Sequence, residues 1–363
     1  MELVLIATVA LLAFANGAND NFKGVATLWG SGRASYSRAL TWATVCTLLG
    51  SLASLWLAGG LVARFNGSSL IPASSYSQTQ FLAAVALGAA ATVLLASIMG
   101  LPVSTTHALT GALVGGGVVA AGAANVRYAT LAMSVAAPLL FSPLVSFLLT
   151  IGLSPLASRW ARSRGAGDCL CLDESASLGF PSTSGAAGVA IALPNLRVAP
   201  VEECRTGAEF VRITASGSMH WLSAAAISIA RGVNDTPKIV ALLLVATAVS
   251  AGLNYALVAA AMAAGGVLGA ARVARTMSKR ITPMEDREAV TANLVAASLV
   301  ILASGFAMPV STTHVTSGSI FGIGLLRRGE ANWSCVREIL LAWMVTLPLA
   351  GVLAMLFYAL LMK

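Results

Sequence analysis

Charged residues are scarce in this chain. Only 10% of its 363 residues are Asp, Glu, Lys or Arg, and 57% are hydrophobic, whereas a soluble domain carries about 25% charged residues. So little charge cannot cover a water-facing surface over this length. Several apolar runs also reach the ~20 residues that span a bilayer, for example 40–62, 81–99, 128–156 and 339–361. The composition therefore predicts a polytopic membrane protein.

Cysteine is also rare. The five cysteines form an odd and scattered set, which excludes a disulfide framework. Cys169, Cys171 and Cys204 share one polar segment, and we interpret them as reduced thiols; metal binding or redox sensing is the alternative, although a fourth ligand is missing. We predict no cofactor and no metal site. Residues 1–15 lack a basic leader, so we expect them to form the first membrane segment rather than a signal peptide.

The chain divides into an apolar part (1–157), a polar linker (158–217) and a second apolar part (218–363). The two apolar parts repeat each other. Gly-Ala-Asn-Asp at 17–20 recurs as Gly-Val-Asn-Asp at 232–235, and Pro-Val-Ser-Thr-Thr-His at 102–107 recurs unchanged at 309–314. Because both motifs keep their order, the sequence indicates an internal duplication, on which many transporters are built.

Each half offers about five crossings, and an odd number turns the second half upside down relative to the first. The predicted fold class is therefore an all-α integral membrane protein of two inverted-topology repeats, with broken or re-entrant helices forming a site at the midplane. The net charge of +8 falls largely in loops, which fits the positive-inside rule rather than nucleic-acid binding. The rule places both termini outside and these basic regions in the cytoplasm: Arg33 and Arg38, 158–217, 272–287, and Arg327 with Arg328.

Two carboxylates interrupt apolar segments, Asp20 and Asp235, and they are repeat mates. An ionised group at membrane depth costs about 2.5–3.5 kcal/mol on insertion scales, so a matched pair indicates function. Structural ion pairs with Lys23 and Lys238 are the alternative. The Gly and Asn-Asp of each motif predict a broken helix, whose freed backbone groups become ligands.

The Pro-Val-Ser-Thr-Thr-His motif predicts a helix start. Proline suits the first turn of a helix, and hydroxyls beside the free N–H groups there attract anions; hydrogen bonding to the preceding turn is the alternative for these hydroxyls. His107 and His314 either titrate near neutral pH or orient their neighbours. The predicted donors to a tetrahedral oxyanion are Ser104, Thr105, Thr106, Ser311, Thr312, Thr313, Asn19 and Asn234.

On these motifs the sequence resembles the inorganic phosphate transporter (PiT) family, which includes related sulfate permeases. The resemblance covers both apolar parts. It implies a phosphate symporter of the cell inner membrane rather than an enzyme. In this family the motifs together form one binding site for the oxyanion and the coupling ion. The predicted coupling-ion or proton site comprises Asp20, Asp235, Lys23, Lys238, His107 and His314.

One departure from the family concerns the coupling ion. Sodium-coupled members usually carry Asn three residues after the motif Asp, where this chain has Lys23 and Lys238. An ammonium group takes the electrostatic place of Na⁺, which favours proton coupling. A sulfate permease and a sodium-coupled symporter stay open as alternatives. An intramembrane hydrolase is a remote one, because a Gly-x-Ser-x-Gly elbow is missing. A homodimer is also left open.

Overall fold

The computed structural model describes residues 1–163, 168–179, 190–200, 213–245, 249–327 and 330–363. Cys204 and Arg328, which the sequence analysis singled out, lie outside these ranges. The helices of the first part are α1 (Glu2–Asp20), α2 (Ala26–Gly30), α3 (Tyr36–Leu57), α4 (Gly59–Phe65), α5 (Ala73–Tyr76), α6 (Thr79–Met99), α7 (Thr105–Ala121), α8 (Tyr128–Leu131) and α9 (Ala137–Ser163). A 3₁₀ turn, Lys23–Val25, joins α1 to α2.

Three strands form a small antiparallel sheet in the polar linker, in the order β2-β1-β3. They are β1 (Asp168–Gly179), β2 (Ala190–Pro200) and β3 (Ile213–Thr214). The helices that follow are α10 (Ala215–Val240), α11 (Ala251–Gly269), α12 (Ala271–Arg275), α13 (Asp286–Gly305), α14 (Thr312–Leu326) and α15 (Trp333–Leu361). The membrane segments are thus helical, as predicted, and within the described residues the strands lie in the linker.

Side-chain caps mark where several helices begin. Ser35, Ser250 and Asn332 each accept a hydrogen bond from the backbone N–H three residues later, at the starts of α3, α11 and α15. Such caps satisfy one of the N–H groups that a helix start leaves free. At the other end, Gly100 takes a left-handed conformation (φ 74°) and ends α6 just before the first Pro-Val-Ser-Thr-Thr-His motif. Local sequence therefore sets these boundaries.

The packing of the helices repeats between the halves. Helix α1 packs on α6 and α11, and its counterpart α10 packs on α13 and α3. Likewise α7 packs on α15, and its counterpart α14 packs on α9. Each half thus places helices against the other half, and the duplication seen in the motifs extends to the arrangement of whole helices.

Glycines let these helices approach closely. A Cβ atom added to Gly17 of α1 would lie 1.9 Å from a carbonyl oxygen of α11, and one added to Gly265 of α11 would lie 1.9 Å from a carbonyl oxygen of α1. Their repeat mates, Gly232 of α10 and Gly50 of α3, make the same kind of approach. Small residues at such crossings are typical of membrane helices.

Seven helical segments of the described chain are long and apolar enough to cross a membrane. They are Glu2–Gly30, Tyr36–Leu57, Thr79–Met99, Ala137–Arg159, Ala251–Gly269, Asp286–Gly305 and Trp333–Leu361. Of the ten predicted crossings, the other three correspond to α7, α10 and α14. Large apolar side chains are exposed on α9 and α15, such as Phe141 and Met344, as a lipid-facing surface requires. The three remaining helices, like α1, carry motif residues.

Three of the predicted basic regions, at Arg33, 272–287 and Arg327, form ion pairs and hydrogen bonds with their surroundings. Arg33 pairs with Asp286, at the start of α13, and His220 Nδ1 lies 2.9 Å from the same carboxylate. Lys279 donates to the carbonyl of Trp29 (2.7 Å). Arg327 pairs with the carboxylates of Glu285, Glu288 and Glu330. Burial alone would lower the pKa of Arg327, but the hydrogen bonds to Glu288 and Glu285 and the charge of Glu288 raise it above its ordinary value.

Candidate functional site

The two Asn-Asp motifs lie on α1 and α10, but the helices behave differently after them. Helix α1 ends at Asp20 and gives way to the 3₁₀ turn, as the sequence analysis predicted. Helix α10 runs through Asn234-Asp235 to Val240, so the predicted break at this second motif is wrong. Local propensity does not explain this difference, because α10 stays helical through Pro237, and proline costs about 3 kcal/mol inside a helix against about 1 kcal/mol for a glycine such as Gly24.

The motif glycines also have a different role from the predicted one. Gly17 and Gly232 lie inside helices rather than at breaks. Their missing side chains admit the neighbouring helix, which fixes α1 against α11 and α10 against α3. The glycine thus positions the acidic residue three places later by packing rather than by loosening the backbone.

The two Pro-Val-Ser-Thr-Thr-His motifs start α7 and α14, as predicted, but the proline lies two residues before the cap rather than in the first turn. Ser104 and Ser311 are the N-caps, and their hydroxyls accept from the backbone N–H of His107 and His314 (3.1 Å each). These serine hydroxyls therefore already satisfy part of the helix start. The threonines that follow stay available to face the rest of the site.

Asp20 is the most connected carboxylate of the site. Its Oδ2 accepts from Asn16 Nδ2 (2.8 Å) and Thr105 Oγ1 (2.9 Å). Its Oδ1 accepts from Thr313 Oγ1 (3.1 Å) and pairs with Lys23. Because Thr105 belongs to the first repeat and Thr313 to the second, both helix starts converge on one carboxylate.

Asp235 lies beside it. Asn16 Nδ2, which donates to Asp20, is also 3.4 Å from Asp235 Oδ2, so one amide bridges the two motif carboxylates. Asp235 further accepts from Thr312 Oγ1 (3.4 Å) and Asn234 Nδ2 (3.0 Å), and Lys238 Nζ lies 3.6 Å away. The structure thus brings the two repeat mates together, as the duplicated motif predicted.

The two lysines occupy equivalent positions between the halves. Lys23 Nζ donates to the carbonyl of Val103 (2.9 Å) and to Thr313 Oγ1 (2.7 Å). Lys238 Nζ donates to the carbonyl of Val310 and to Thr106 Oγ1 (2.8 Å each). Each ammonium therefore joins the motif aspartate of its own helix to backbone and hydroxyl groups of the two Pro-Val-Ser-Thr-Thr-His segments.

The motif asparagines hold these segments in place. Asn19 donates to Ser97 Oγ (2.9 Å) and to the carbonyl of Leu101 (3.0 Å), and it accepts from the N–H of Val103 (3.0 Å). Asn234 accepts from Ser304 Oγ (3.1 Å). Both amides bind the chain that enters α7 or α14, so they fix where the hydroxyls stand relative to the carboxylates.

Two site residues escaped the sequence analysis, Asn16 and Arg231. They are repeat mates, each directly before the motif glycine. Arg231 Nη2 donates to Asn16 Oδ1 (2.8 Å), and its Nη1 donates to Asn21 Oδ1 (3.2 Å) and Thr47 Oγ1 (2.9 Å). A search for basic as well as acidic residues within apolar segments would have found Arg231. Asn16 carries no comparable signal, because its role arises only from the contact between the halves.

The two histidines pack against each other, off to one side of the carboxylates. Their ring centroids are 4.5 Å apart, and His314 stacks on Trp343 at 3.9 Å. Both line an apolar cavity of about 560 Å³. In the described parts of the chain neither imidazole bonds to Asp20 or Asp235. The geometry therefore separates the histidines from the lysine–aspartate pairs with which the sequence analysis grouped them.

The site is closed off from solvent. Asp20 is 1% exposed and Asp235 4% exposed, and the lysines, Arg231 and the motif threonines are all buried. Buried charge is tolerated only where it is paired and hydrogen-bonded, and each of the two carboxylates has a lysine within 4 Å and accepts hydrogen bonds from its neighbours. Among the described residues no cluster of His, Cys, Asp and Glu has the arrangement of a metal site. The arrangement can hold an anion against hydroxyls and fixed cations, with carboxylates at hand for a proton or a cation.

Comparison with known proteins agrees with this geometry. A family model described as the phosphate transporter family matches residues 16–354. A protein of Pyrococcus abyssi named as a phosphate permease is 30% identical, over 99% of this chain and 97% of its own length. A protein of Mycobacterium tuberculosis named as a low-affinity inorganic phosphate transporter is 27% identical, over 99% of this chain and 77% of its own. A solved structure titled as the sodium-dependent phosphate transporter shares the fold with a TM-score of 0.77, at 19% identity and covering 99% of this chain and 98% of that one.

Proposed function

We propose, since the chain belongs to the phosphate transporter family, that it carries inorganic phosphate across the membrane by alternating access. The observation that carries this proposal is the closed site between the repeats, where two carboxylates, two lysines and hydroxyls of both helix starts meet. An anion entering it would exchange the hydrogen bonds of water for donors that are already in place.

The anion would be held by the groups that the repeat supplies twice. Thr106 and Thr313 each contact both a lysine and a backbone carbonyl of the opposite repeat, so a modest parting of the helix starts would free hydroxyl and ammonium donors together. The remaining members of the proposed substrate site are Ser104, Thr105, Ser311, Thr312, Asn19 and Asn234. Sulfate could use the same donors, and it serves below as the competitor.

We further propose symport with protons rather than Na⁺. Lys23 contacts Asp20 directly, and Lys238 lies 3.6 Å from Asp235, where a coupling cation would otherwise stand. A fixed ammonium repels Na⁺ and leaves a proton as the available coupling ion. The sodium-dependent phosphate transporter that shares this fold is only 19% identical to this chain, and its sodium dependence is a property of that protein.

The two repeats are proposed to be inverted, in the inner membrane, with residues 158–217 in the cytoplasm. In support, Arg33 and Trp29 at the end of α2 contact Asp286 and Lys279 of the second half. Arg327 pairs with Glu288, close to the same second-half loop. The corresponding loops of the first half are the one before α6 and the one after α7. They meet each other elsewhere, since the N–H of Arg127 donates to the carbonyl of Leu70 (2.9 Å). Equivalent loops on opposite ends are what inversion requires, and the end rich in Lys and Arg faces the cytoplasm under the positive-inside rule.

Uptake by the purified protein in proteoliposomes tests the proposal. Labelled phosphate should accumulate inside vesicles preloaded with unlabelled phosphate, and excess external phosphate should abolish the signal. Excess sulfate should inhibit weakly. If sulfate is itself carried and phosphate is not, the chain is a sulfate permease. If neither anion moves, transport of these oxyanions is refuted.

A further inference from the structure

Arg231 breaks the symmetry of an otherwise repeated site. Lysines, aspartates, asparagines and threonines all occur in matching pairs, but the mate of Arg231 is the uncharged Asn16. The two side chains touch, since Arg231 Nη2 donates to Asn16 Oδ1 at 2.8 Å. The position before the motif glycine therefore differs between the two halves, and the two residues that occupy it are in contact.

This asymmetry decides the charge of the site. The buried Asp, Glu, Lys and Arg side chains of the described residues are Lys23, Arg231, Lys238, Asp20 and Asp235. Three cations and two carboxylates leave one unmatched positive charge. An unmatched charge away from water is costly, so it needs either a functional partner or a lost proton.

One donor of Arg231 is also unused. Its Nη atoms bind Asn16, Asn21 and Thr47, whereas its buried Nε has no hydrogen-bond partner in the described chain. The nearest carboxylate oxygen, Asp235 Oδ2, is 3.7 Å away, beyond hydrogen-bond distance. The guanidinium is hydrogen-bonded to three neutral neighbours and lies within ion-pair distance of Asp235, and its unbonded Nε–H is arranged to receive an anionic oxygen.

We infer that Arg231 is an anion-contacting residue that supplies, as a fixed part of the protein, the positive charge that a metal cation would otherwise bring. The site then complements a tetrahedral oxyanion of one negative charge, such as dihydrogen phosphate, with no added cation. A doubly charged oxyanion would leave one negative charge unmatched in the closed site. Asn16 positions the guanidinium and holds the two carboxylates together. This inference rests on the proposed function and adds the residue that sets the charge of its substrate.

The first test uses the unaltered protein. Binding of inorganic phosphate is measured by calorimetry in choline buffer free of Na⁺, on the acidic side of the second ionisation of phosphate, with sulfate as the doubly charged comparison. We expect phosphate to bind without Na⁺ and sulfate to bind about tenfold more weakly or worse. Equal affinity for the two anions, or a strict need for Na⁺, would overturn the inference.

The second test removes the charge. Arg231→Asn makes the site symmetric, and we expect its phosphate affinity in choline buffer to fall about tenfold or more, with part of the loss recovered on adding Na⁺. Arg231→Lys keeps the charge and should bind within a few-fold of the unaltered protein. Arg275→Asn, at an exposed position on α12, is the matched control and should change nothing.

The outcomes separate the two proposals. If the unaltered protein binds phosphate and Arg231→Asn, eluting as a monodisperse peak, binds it equally well in choline, only the role of Arg231 is wrong. If Arg231→Asn does not fold, Arg231→Lys and the unaltered protein still decide the charge preference. If the unaltered protein binds phosphate under no cation condition, the proposed function and this inference fail together.

Discussion

At the scale of single residues, Asp20 and Asp235 carry the proposed mechanism. Each is buried, and Asn16 joins them. Removing one partner of a buried charge pair costs about 3–5 kcal/mol of stability, and an Asn side chain can neither form an ion pair with a lysine nor take up a proton at ordinary pH. We therefore expect Asp20→Asn and Asp235→Asn each to lower initial phosphate uptake at least about tenfold in proteoliposomes.

The control for this pair is Glu338→Gln, because Glu338 is 48% exposed and pairs with Arg280 away from the site. Uptake by that variant should match the unaltered protein. Size-exclusion chromatography in detergent should show that the two Asp variants stay folded. Near-normal uptake by both folded Asp variants would remove the carboxylates from the transport mechanism.

The hydroxyls of the helix starts divide into two roles. Thr105 and Thr312 contact the carboxylates, so changing both to Val should weaken apparent phosphate affinity about tenfold or more, at roughly 1.5–3 kcal/mol for a hydrogen bond to a charged group. Ser104 caps α7, so Ser104→Ala should mainly cost about 1 kcal/mol of stability. Uptake titrations measure the first effect and thermal unfolding in detergent measures the second.

Thr110→Val is the matched control for the threonines, because Thr110 lies on α7 and its buried hydroxyl has no partner in the described chain. Its phosphate affinity should stay unchanged. If the Thr105 and Thr312 double variant behaves like this control, the threonine hydroxyls are structural only.

Sequence reasoning reached most of these residues for a specific reason. Asp20, Asp235 and the threonines occur in repeated motifs, and repetition makes them visible in one sequence. Arg231 and Asn16 occupy matching positions but are different residues, so a search for residues repeated between the two halves does not find them. The contact between them depends on how α10 packs against α1. The spacing of residues within either helix does not show how the two helices pack.

At the scale of elements, the link between the third and fourth membrane segments of each half contains a left-handed residue. In the first half it is Gly100 (φ 74°), and in the second its repeat mate is Ala307 (φ 52°). A side chain in this conformation costs about 1–2 kcal/mol. We expect Ala307→Gly to stabilise the protein by up to about 1 kcal/mol and Gly100→Ala to destabilise it by a similar amount.

Thermal unfolding in detergent measures both changes in stability. The two substitutions should change stability in opposite directions, and each therefore serves as the control for the other. The Cβ of Ala307 faces Gly60 of α4, whereas a Cβ on Gly100 would meet Arg272 at an ordinary 3.4 Å. Crowding therefore does not explain a loss in Gly100→Ala. A stability loss in both variants would show that packing at Ala307 outweighs its backbone conformation.

Most elements followed from the sequence, because apolar length and helix-start signals are local. The positions of α7 and α14 came from Pro and the hydroxyl run, and the structure begins both helices within that run. The continuity of α10 could not be predicted from the sequence, since the same Asn-Asp motif predicted a break in both halves. The local residues do not decide whether such a motif breaks a helix, because α10 continues through Pro237 whereas α1 ends at Asp20 although no proline follows it directly.

At the scale of the whole molecule, the site exists only where the two halves meet. Asp20 accepts from one threonine of each repeat, and each lysine reaches a threonine or carbonyl of the two helix starts. A relative movement of the halves would therefore disturb many of these contacts at once. Such coupling between site and inter-repeat geometry is what alternating access requires.

The coupling ion is the remaining property of the whole transporter, and the position of Lys23 decides what we expect. The sequence alone does not fix where the side chain of Lys23 lies. The structure buries it against Asp20, Val103 and Thr313, at 2% exposure. A cation fixed there neutralises the carboxylate and repels Na⁺.

We therefore expect phosphate uptake to depend on the proton gradient and not on Na⁺. Initial uptake into proteoliposomes is measured with choline replacing Na⁺ at fixed pH, and then with an inward proton gradient imposed in choline. Removal of Na⁺ should leave the rate unchanged, because Lys23 and Lys238 already stand where the cation would bind. The gradient should raise the rate, because phosphate then enters the closed site together with the proton that makes it singly charged. A proton ionophore that collapses the gradient is the control and should remove the increase. Strong loss of uptake without Na⁺, together with no response to the gradient, would place this chain among the sodium-coupled transporters despite its lysines.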